Sequence, residues 1–352
     1  MIVKWHNVRS SLRNLPGGSP QGASLGIWSF LSQTNDNPEN TDSDNIFKFV
    51  DDKTFIEVIN IFSIGMASHN VRSRVPSNIQ VSNIFIPSEH LKTQDNMVRV
   101  DEWTEAKQMK LNVKKTKNMM FNFTKNYQFS TDINLKGEII ETVDQTKLLG
   151  TYITSDLKWN KNTDAIVKET NKRMRILHKA VKFTNNYKDL KQIYMLQIRS
   201  KLDQSAVLWH SSLSKRNRSD LERVQKSALK CILGDKYESY DNALQSLKIQ
   251  SLEERREAMC LKFAKQCVKL DKMKKLFPRN VNAHKMNKRS TDIYQEVRAN
   301  TDRLKKSAIP AMQRLLNREE LRKRVIHKKI DNLVPVNFGS CGLYHCDDKN
   351  YK

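Results

Sequence analysis

The sequence predicts an α+β protein in which an antiparallel sheet with helices precedes a basic, all-helical region. Short β-branched or aromatic runs punctuate residues 46–154, whereas from Asn160 onward apolar residues recur at helical spacing. Charge divides at the same place. Residues 1–150 hold 17 Lys+Arg against 16 Asp+Glu, while residues 151–352 hold 45 against 22. A chain of 352 residues is long enough for more than one domain.

The first 30 residues begin with a short candidate strand. The turn-rich PGGSPQG follows, and Pro20 opens a helical stretch through ASLGIWSFL. QTNDNPENTDSDN, just before Ile46, is almost wholly polar and reads as a surface loop. Ile46–Val50 and Thr54–Val58 form two antiparallel strands joined at Asp51, Asp52 and Lys53. Residues 63–100 read as a helix-and-loop connection, and Asp101–Met109 as a helix showing Trp103, Ala106 and Met109 on one face. Strands are expected in the alternating MMFNF, at Ile133–Leu135, at Glu138–Thr142, and at Lys147–Thr154, whose glycine allows a bend.

Helices then take over. Ile166, Thr170, Met174, Leu177 and Val181 mark one face of a long helix, and Leu190 to Trp209 fit another spanning 186–209. Ser219 with Glu222 and Ser251 with Glu254 have capping-box spacing, the latter before Leu252, Met259, Phe263, Gln266 and Leu270. Residues 277–308 show little pattern, Met312–Ile330 is a last helix, and loop follows from Val334.

A net charge of +24 concentrated in one half attracts a polyanion. Five cysteines are too few and odd in number for a disulfide framework, which points to a reducing compartment. The start of the chain has no apolar signal core, and no stretch reaches the roughly 18 apolar residues of a membrane span. The expectation is an intracellular protein, nuclear or cytoplasmic, neither secreted nor membrane-bound. Cys341, His345 and Cys346 lack a second ligand pair, so no zinc is expected.

Asp51 and Asp52 are the candidate metal ligands. Adjacent carboxylates at a rigid hairpin suit oxygen-preferring Mg²⁺, which can polarise a triphosphate and lower the pKa of an attacking hydroxyl. Aspartates in a solvated turn are the alternative. GGSPQGASLG (Gly17–Gly26), FVDD (Phe49–Asp52), MKLNVKKTKNMMF (Met109–Phe121) and LLG (Leu148–Gly150) occur in the order and approximate spacing of the second half of a polymerase palm. With these four motifs the chain resembles the reverse transcriptase, an RNA-directed DNA polymerase, of jockey-like non-LTR retrotransposons. The helical stretches IRSKLDQSAVLWHSSL, LERVQKSALKCIL and SLEERREAMCLKFA resemble the region that follows the palm there.

The resemblance implies a partial palm over 1–155, a helical thumb-like domain over 156–275 and a basic C-terminal region over 276–352. It places Asp51 and Asp52 as ligands of Mg²⁺ or Mn²⁺. Pro20, Gln21, Gly22 and Phe49 fall at the deoxynucleoside triphosphate, where the family more often has tyrosine at the Phe49 position. Lys115, within the Asn112-x-x-Lys115-Thr116 pattern, matches a triphosphate contact or proton donor. Leu149 and Gly150 match the primer grip.

Arg173, Arg175, Lys179 and Lys182 would meet the backbone of an RNA template and DNA primer. Trp159 and Trp209 could stack on bases or pack in a core. The family also carries an aspartate upstream of the PQG motif, and residues 1–19 contain neither Asp nor Glu. The expectation is therefore a fragment, inactive without an N-terminal half that holds the fingers and that aspartate. The alternatives are a non-catalytic nucleic-acid-binding remnant and a co-opted structural or interaction protein.

Overall fold

Short strands precede a run of helices in the computed structural model, which describes residues 4–5, 8–9, 46–49, 52–59, 82–87, 91–124, 127–280 and 293–331. The fold is α+β, and the chain divides into two units, residues 1–146 and 147–352. Among the described residues no helix is long and apolar enough to cross a membrane.

In the first unit the strands pair two by two. β1 (Lys4–Trp5) pairs with β2 (Val8–Arg9), and β3 (Ile46–Phe49) runs antiparallel to β4 (Asp52–Phe55). β5 (Ser82–Phe85) pairs parallel with a strand far along the chain, β6 (Tyr127–Ser130), and β7 (Asn134–Leu135) forms a hairpin with β8 (Glu138–Ile139). Helix α1 covers Lys92–Ala106. It starts well before Asp101, because its cap comes from a distant residue. The Glu57 carboxylate accepts from the Thr93 N–H at 2.9 Å, the Thr93 hydroxyl at 2.8 Å and the Lys92 N–H at 3.2 Å. A carboxylate there satisfies orphan donors and complements the positive helix end.

The longer helix also turns a different face inward. Met97, Val100 and Thr104 are buried rather than Trp103, Ala106 and Met109. Ile86, Leu91, Ile133, Leu135 and Ile140 complete the core of this unit. MMFNF is not a strand; the residue before it, Asn118, makes an isolated bridge to Thr142.

In the second unit KLLGTYIT folds as a hairpin rather than one strand. β9 (Gln145–Leu148) and β10 (Thr151–Thr154) pair across Leu149 and Gly150. Helix α2, Asn160–Ala180, buries Ile166, Thr170, Met174 and Leu177, the face its periodicity predicts. The expected helix over 186–209 is interrupted. α3 (Tyr187–Ile193) runs through a π-helical turn, Tyr194–Arg199, into α4 (Ser200–Leu202), and α5 (Ala206–Trp209) follows a break at Ser205, where φ is +54°.

Helix α6, Lys215–Leu233, is capped by Ser214, whose hydroxyl accepts from the Asn217 N–H at 3.1 Å. Ser219 therefore lies inside the helix and caps nothing. After α7 (Tyr240–Leu247), α8 (Leu252–Lys269) begins with the capping box its sequence predicts, Ser251 and Glu254 exchanging two hydrogen bonds of 3.3 Å. Its inward face is Leu252, Arg256, Cys260, Ala264 and Cys267; Gln266 and Leu270 are exposed.

Leucines, Tyr194, Ile198, Trp209 and Leu229 form the main core of this unit. Phe277, Tyr294, Met312 and Leu316 lead a second. α9 (Asp271–Lys274), α10 (Asp302–Lys306) and α11 (Ala308–Asp331) complete the described chain. Part of the weakly patterned stretch 277–308 is held by two buried amides of α11. Asn317 takes both the N–H and the carbonyl of Tyr294, at 2.9 and 3.0 Å, and Gln313 joins the Val297 N–H to the Leu276 carbonyl, each at 2.9 Å.

Buried His210 makes stability pH-dependent. It is 7% exposed, and burial, then the charges of Arg256 and Arg218, push its pKa from 6.5 down to about 4. The fold holds it neutral while the unfolded chain takes up a proton below 6.5. Its contribution is thus intact above that pH and is lost as pH falls toward 4, by about 3 kcal/mol. Urea unfolding followed by circular dichroism should show a shallower acid-side decline in His210→Gln than in the native chain. Identical slopes would contradict the assignment.

Candidate nucleic-acid interface

Helix α2 is buried along one side, so its opposite side must be solvated. Lys161, Lys168, Lys172, Arg175 and Lys179 follow one another there at intervals of seven, four, three and four residues, and Lys182 continues the row past the helix end. All six are exposed, and none is paired with a carboxylate among the described residues. Lys161 to Lys179 spans about 27 Å of helix, over which one strand of a duplex presents about eight phosphates.

On other helices several cations are paired. On α6, Arg216 and Arg223 both lie against Asp220, at 3.7 and 3.3 Å, and Arg218 pairs with Glu253. Lys265 of α8 meets Glu319 at 2.8 Å, and Arg318 of α11 meets Glu257 at 2.9 Å.

Of the four predicted backbone contacts, Arg175, Lys179 and Lys182 lie on the row and Arg173 does not. Arg173 is held between the Glu169 carboxylate at 3.2 Å and the Gln197 carbonyl at 3.1 Å. Lys161, Lys168 and Lys172, which the sequence reading omitted, were recoverable by projecting every cation of α2 onto a helical wheel. Phe183, 88% exposed just beyond Lys182, is an accessible aromatic at the end of the row. Trp159 and Trp209 serve packing instead: Trp209 is fully buried, and Trp159 is partly buried against the same core.

The β9–β10 hairpin packs against α2. Its turn residues Leu149 and Gly150 both have positive φ, +47° and +83°, as a two-residue hairpin turn matching the strand twist requires. A Cβ on Gly150 would come within 2.5 Å of Gln204 Nε2. That amide is the tip of a flexible side chain, though held by the Lys201 ammonium 2.5 Å from its Oε1, so the larger penalty is the left-handed backbone, about 1–2 kcal/mol.

Burial lowers the pKa of Lys201, and the positive charges of Arg173 and Lys147 lower it further. Gln204 thus links the hairpin tip to Lys201. Leu149 is half exposed at that tip. Thr151 Oγ1, donating to Ser205 Oγ at 3.0 Å, fixes the hairpin to the helix break.

The predicted polymerase residues are less fully placed. Pro20, Gln21, Gly22 and Asp51 lie outside the described residues, as do Cys341, His345 and Cys346. Asp52 opens β4 opposite Phe49 in the antiparallel register. Among the described residues no three of His, Cys, Asp and Glu gather where they could hold a metal.

Lys115 is exposed in a local turn. Its N–H donates to Asn112 Oδ1 at 3.1 Å, and the Thr116 hydroxyl donates to the Asn112 carbonyl at 3.0 Å. The Asn-x-x-Lys-Thr spacing therefore builds a side-chain-closed turn that holds the lysine in solvent. No family model, curated protein or solved structure matches this chain.

Proposed function

We propose that the chain binds the sugar-phosphate backbone of a nucleic-acid duplex through α2. On this reading it is a nucleic-acid-binding chain of RNA-directed DNA polymerase ancestry, of the non-LTR retrotransposon type, that does not polymerise by itself. The unpaired row from Lys161 to Lys182 carries the binding reading. Lysine and arginine along one face meet phosphates with little regard to base sequence, as a polymerase thumb must. The four ordered motifs of the first half support the polymerase ancestry, with an RNA–DNA hybrid as the natural duplex and an intracellular, nuclear or cytoplasmic, location.

Filter binding of an RNA–DNA hybrid should give a log affinity that falls linearly with log salt. Replacing Lys172, Arg175 and Lys179 by glutamine should lower the slope by up to about 3. Affinity indifferent to salt would overturn the proposal. Retained helicity without measurable affinity would leave a structural or interaction role.

Primer extension on poly(rA)/oligo(dT) with Mg²⁺ or Mn²⁺ should yield no product. Incorporation that disappears in Asp51→Asn would instead make the chain a working polymerase, with Asp51 and Asp52 as its metal ligands and deoxynucleoside triphosphates as substrates.

A further inference from the structure

A cavity of about 430 Å³ opens between α6 and the start of α8, and four of its nine lining residues are arginine or lysine. Arg218, Arg223 and Lys226 reach it from α6, and Arg256 from α8, against two carboxylates, Glu222 and Glu253. Both carboxylates are already engaged. Glu253 pairs with Arg218, while Glu222 accepts from the Tyr240 hydroxyl and from the Leu252 N–H at 3.3 Å.

Two buried groups in the lining lack hydrogen-bond partners among the described residues. These are Nδ1 of His210, a residue 7% exposed, and Nε of Arg256, a residue 2% exposed. Buried polar atoms are rarely left so, and each asks for a cause. The N-terminus of α8, capped at Ser251, adds a positive helix end to the same cavity.

We infer that this cavity is a binding site for a phosphate group, with Arg256 and His210 at its floor and Arg218, Arg223 and Lys226 around it. Phosphate suits the lining better than a carboxylate does. Three arginines, a lysine and the hydroxyls of Ser219 and Ser251 line the cavity; Arg218 holds Glu253 and Arg223 lies against Asp220 at 3.3 Å, and each guanidinium keeps further N–H donors, which a tetrahedral anion with several oxygens can use more fully than a planar one with two. The volume lies within the roughly 300–1,000 Å³ of small-ligand sites, leaving room for part of the group that bears the phosphate. The site uses none of the α2 row, and inorganic phosphate tests it without any duplex.

Inorganic phosphate is titrated into the full chain at constant ionic strength, and the imidazole resonances of His210, assigned by comparison with His210→Gln, are followed by NMR. A saturable shift is expected with phosphate and a much weaker one with acetate. Arg223 and Lys226 are exposed, so their joint replacement by glutamine should spare the fold, checked by circular dichroism, and raise the midpoint about tenfold or more. Arg218→Lys, which keeps the charge and removes the fork, is the second variant and should raise it less.

Absence of a saturable shift, equal shifts with acetate, or an unchanged midpoint in both variants would overturn the proposal. A 5′-phosphorylated duplex that moves His210 where its 5′-hydroxyl twin does not would support it and assign the phosphate to a strand end. Equal movement by both would support it and assign the phosphate to the backbone.

Discussion

Arg256 lies at the centre of the helical unit, 2% exposed, with its guanidinium over the Trp209 ring at 5.0 Å and Nη2 donating to the Leu202 carbonyl at 3.2 Å. A buried cation needs acceptors, and a continuous helix would have none to offer. The break at Ser205 supplies them. The Ala206 N–H turns to Asp203, which frees the Leu202 carbonyl for Arg256; the Leu208 N–H turns to Ser205, which frees the Gln204 carbonyl for Trp209 Nε1 at 3.1 Å. Left alone, each such carbonyl would cost about 1–3 kcal/mol. A desolvated guanidinium on an indole face returns about 2 kcal/mol.

Asp203 extends the same arrangement. It is 7% exposed between Arg255, whose Nε donates at 2.5 Å, and Arg199 at 3.9 Å. The neighbouring polar chain runs from the Tyr194 hydroxyl to Gln225 at 2.5 Å and on to Tyr240 at 2.7 Å. Such a seam adds little net stability over a well-packed apolar one, but it fixes which helix lies against which. Two features of the helical unit depend on it. The break holds the β9–β10 hairpin through Ser205 and Gln204, and the same Arg256 forms the floor of the cavity beside α6. The packing of this seam therefore sets both the place of the hairpin beside Ser205 and the lining of the cavity at His210.

Much of this arrangement was legible in the residues, and the exceptions have physical causes. The buried face of α2 and the Ser251–Glu254 cap followed from local spacing alone. The Ser205 break was hidden because Leu202, Ala206 and Trp209 keep helical spacing across it and no glycine or proline marks it. The inward face of α8 was misplaced because an arginine counts as polar, whereas Arg256 is buried by partners more than 40 residues away. KLLGTYIT read as one strand because a leucine at positive φ is uncommon, and the cap of α1 depends on Glu57, outside any local window.

The interface was half legible for a similar reason. Charge excess in the second half was plain from composition, but which cations remain available depends on where the acids fall in space. Asp220, Glu253, Glu257 and Glu319 engage several cations of α6, α8 and α11, whereas the six cations along α2 share one exposed side without a carboxylate partner among the described residues.

Amine labelling of the full chain read by mass spectrometry, with and without an RNA–DNA hybrid, tests that row most directly. The account predicts that Lys161, Lys168, Lys172, Lys179 and Lys182 lose reactivity together, while Lys262 and Lys269, also exposed but on α8, keep theirs. Uniform protection of all lysines, or unchanged reactivity along α2, would contradict it.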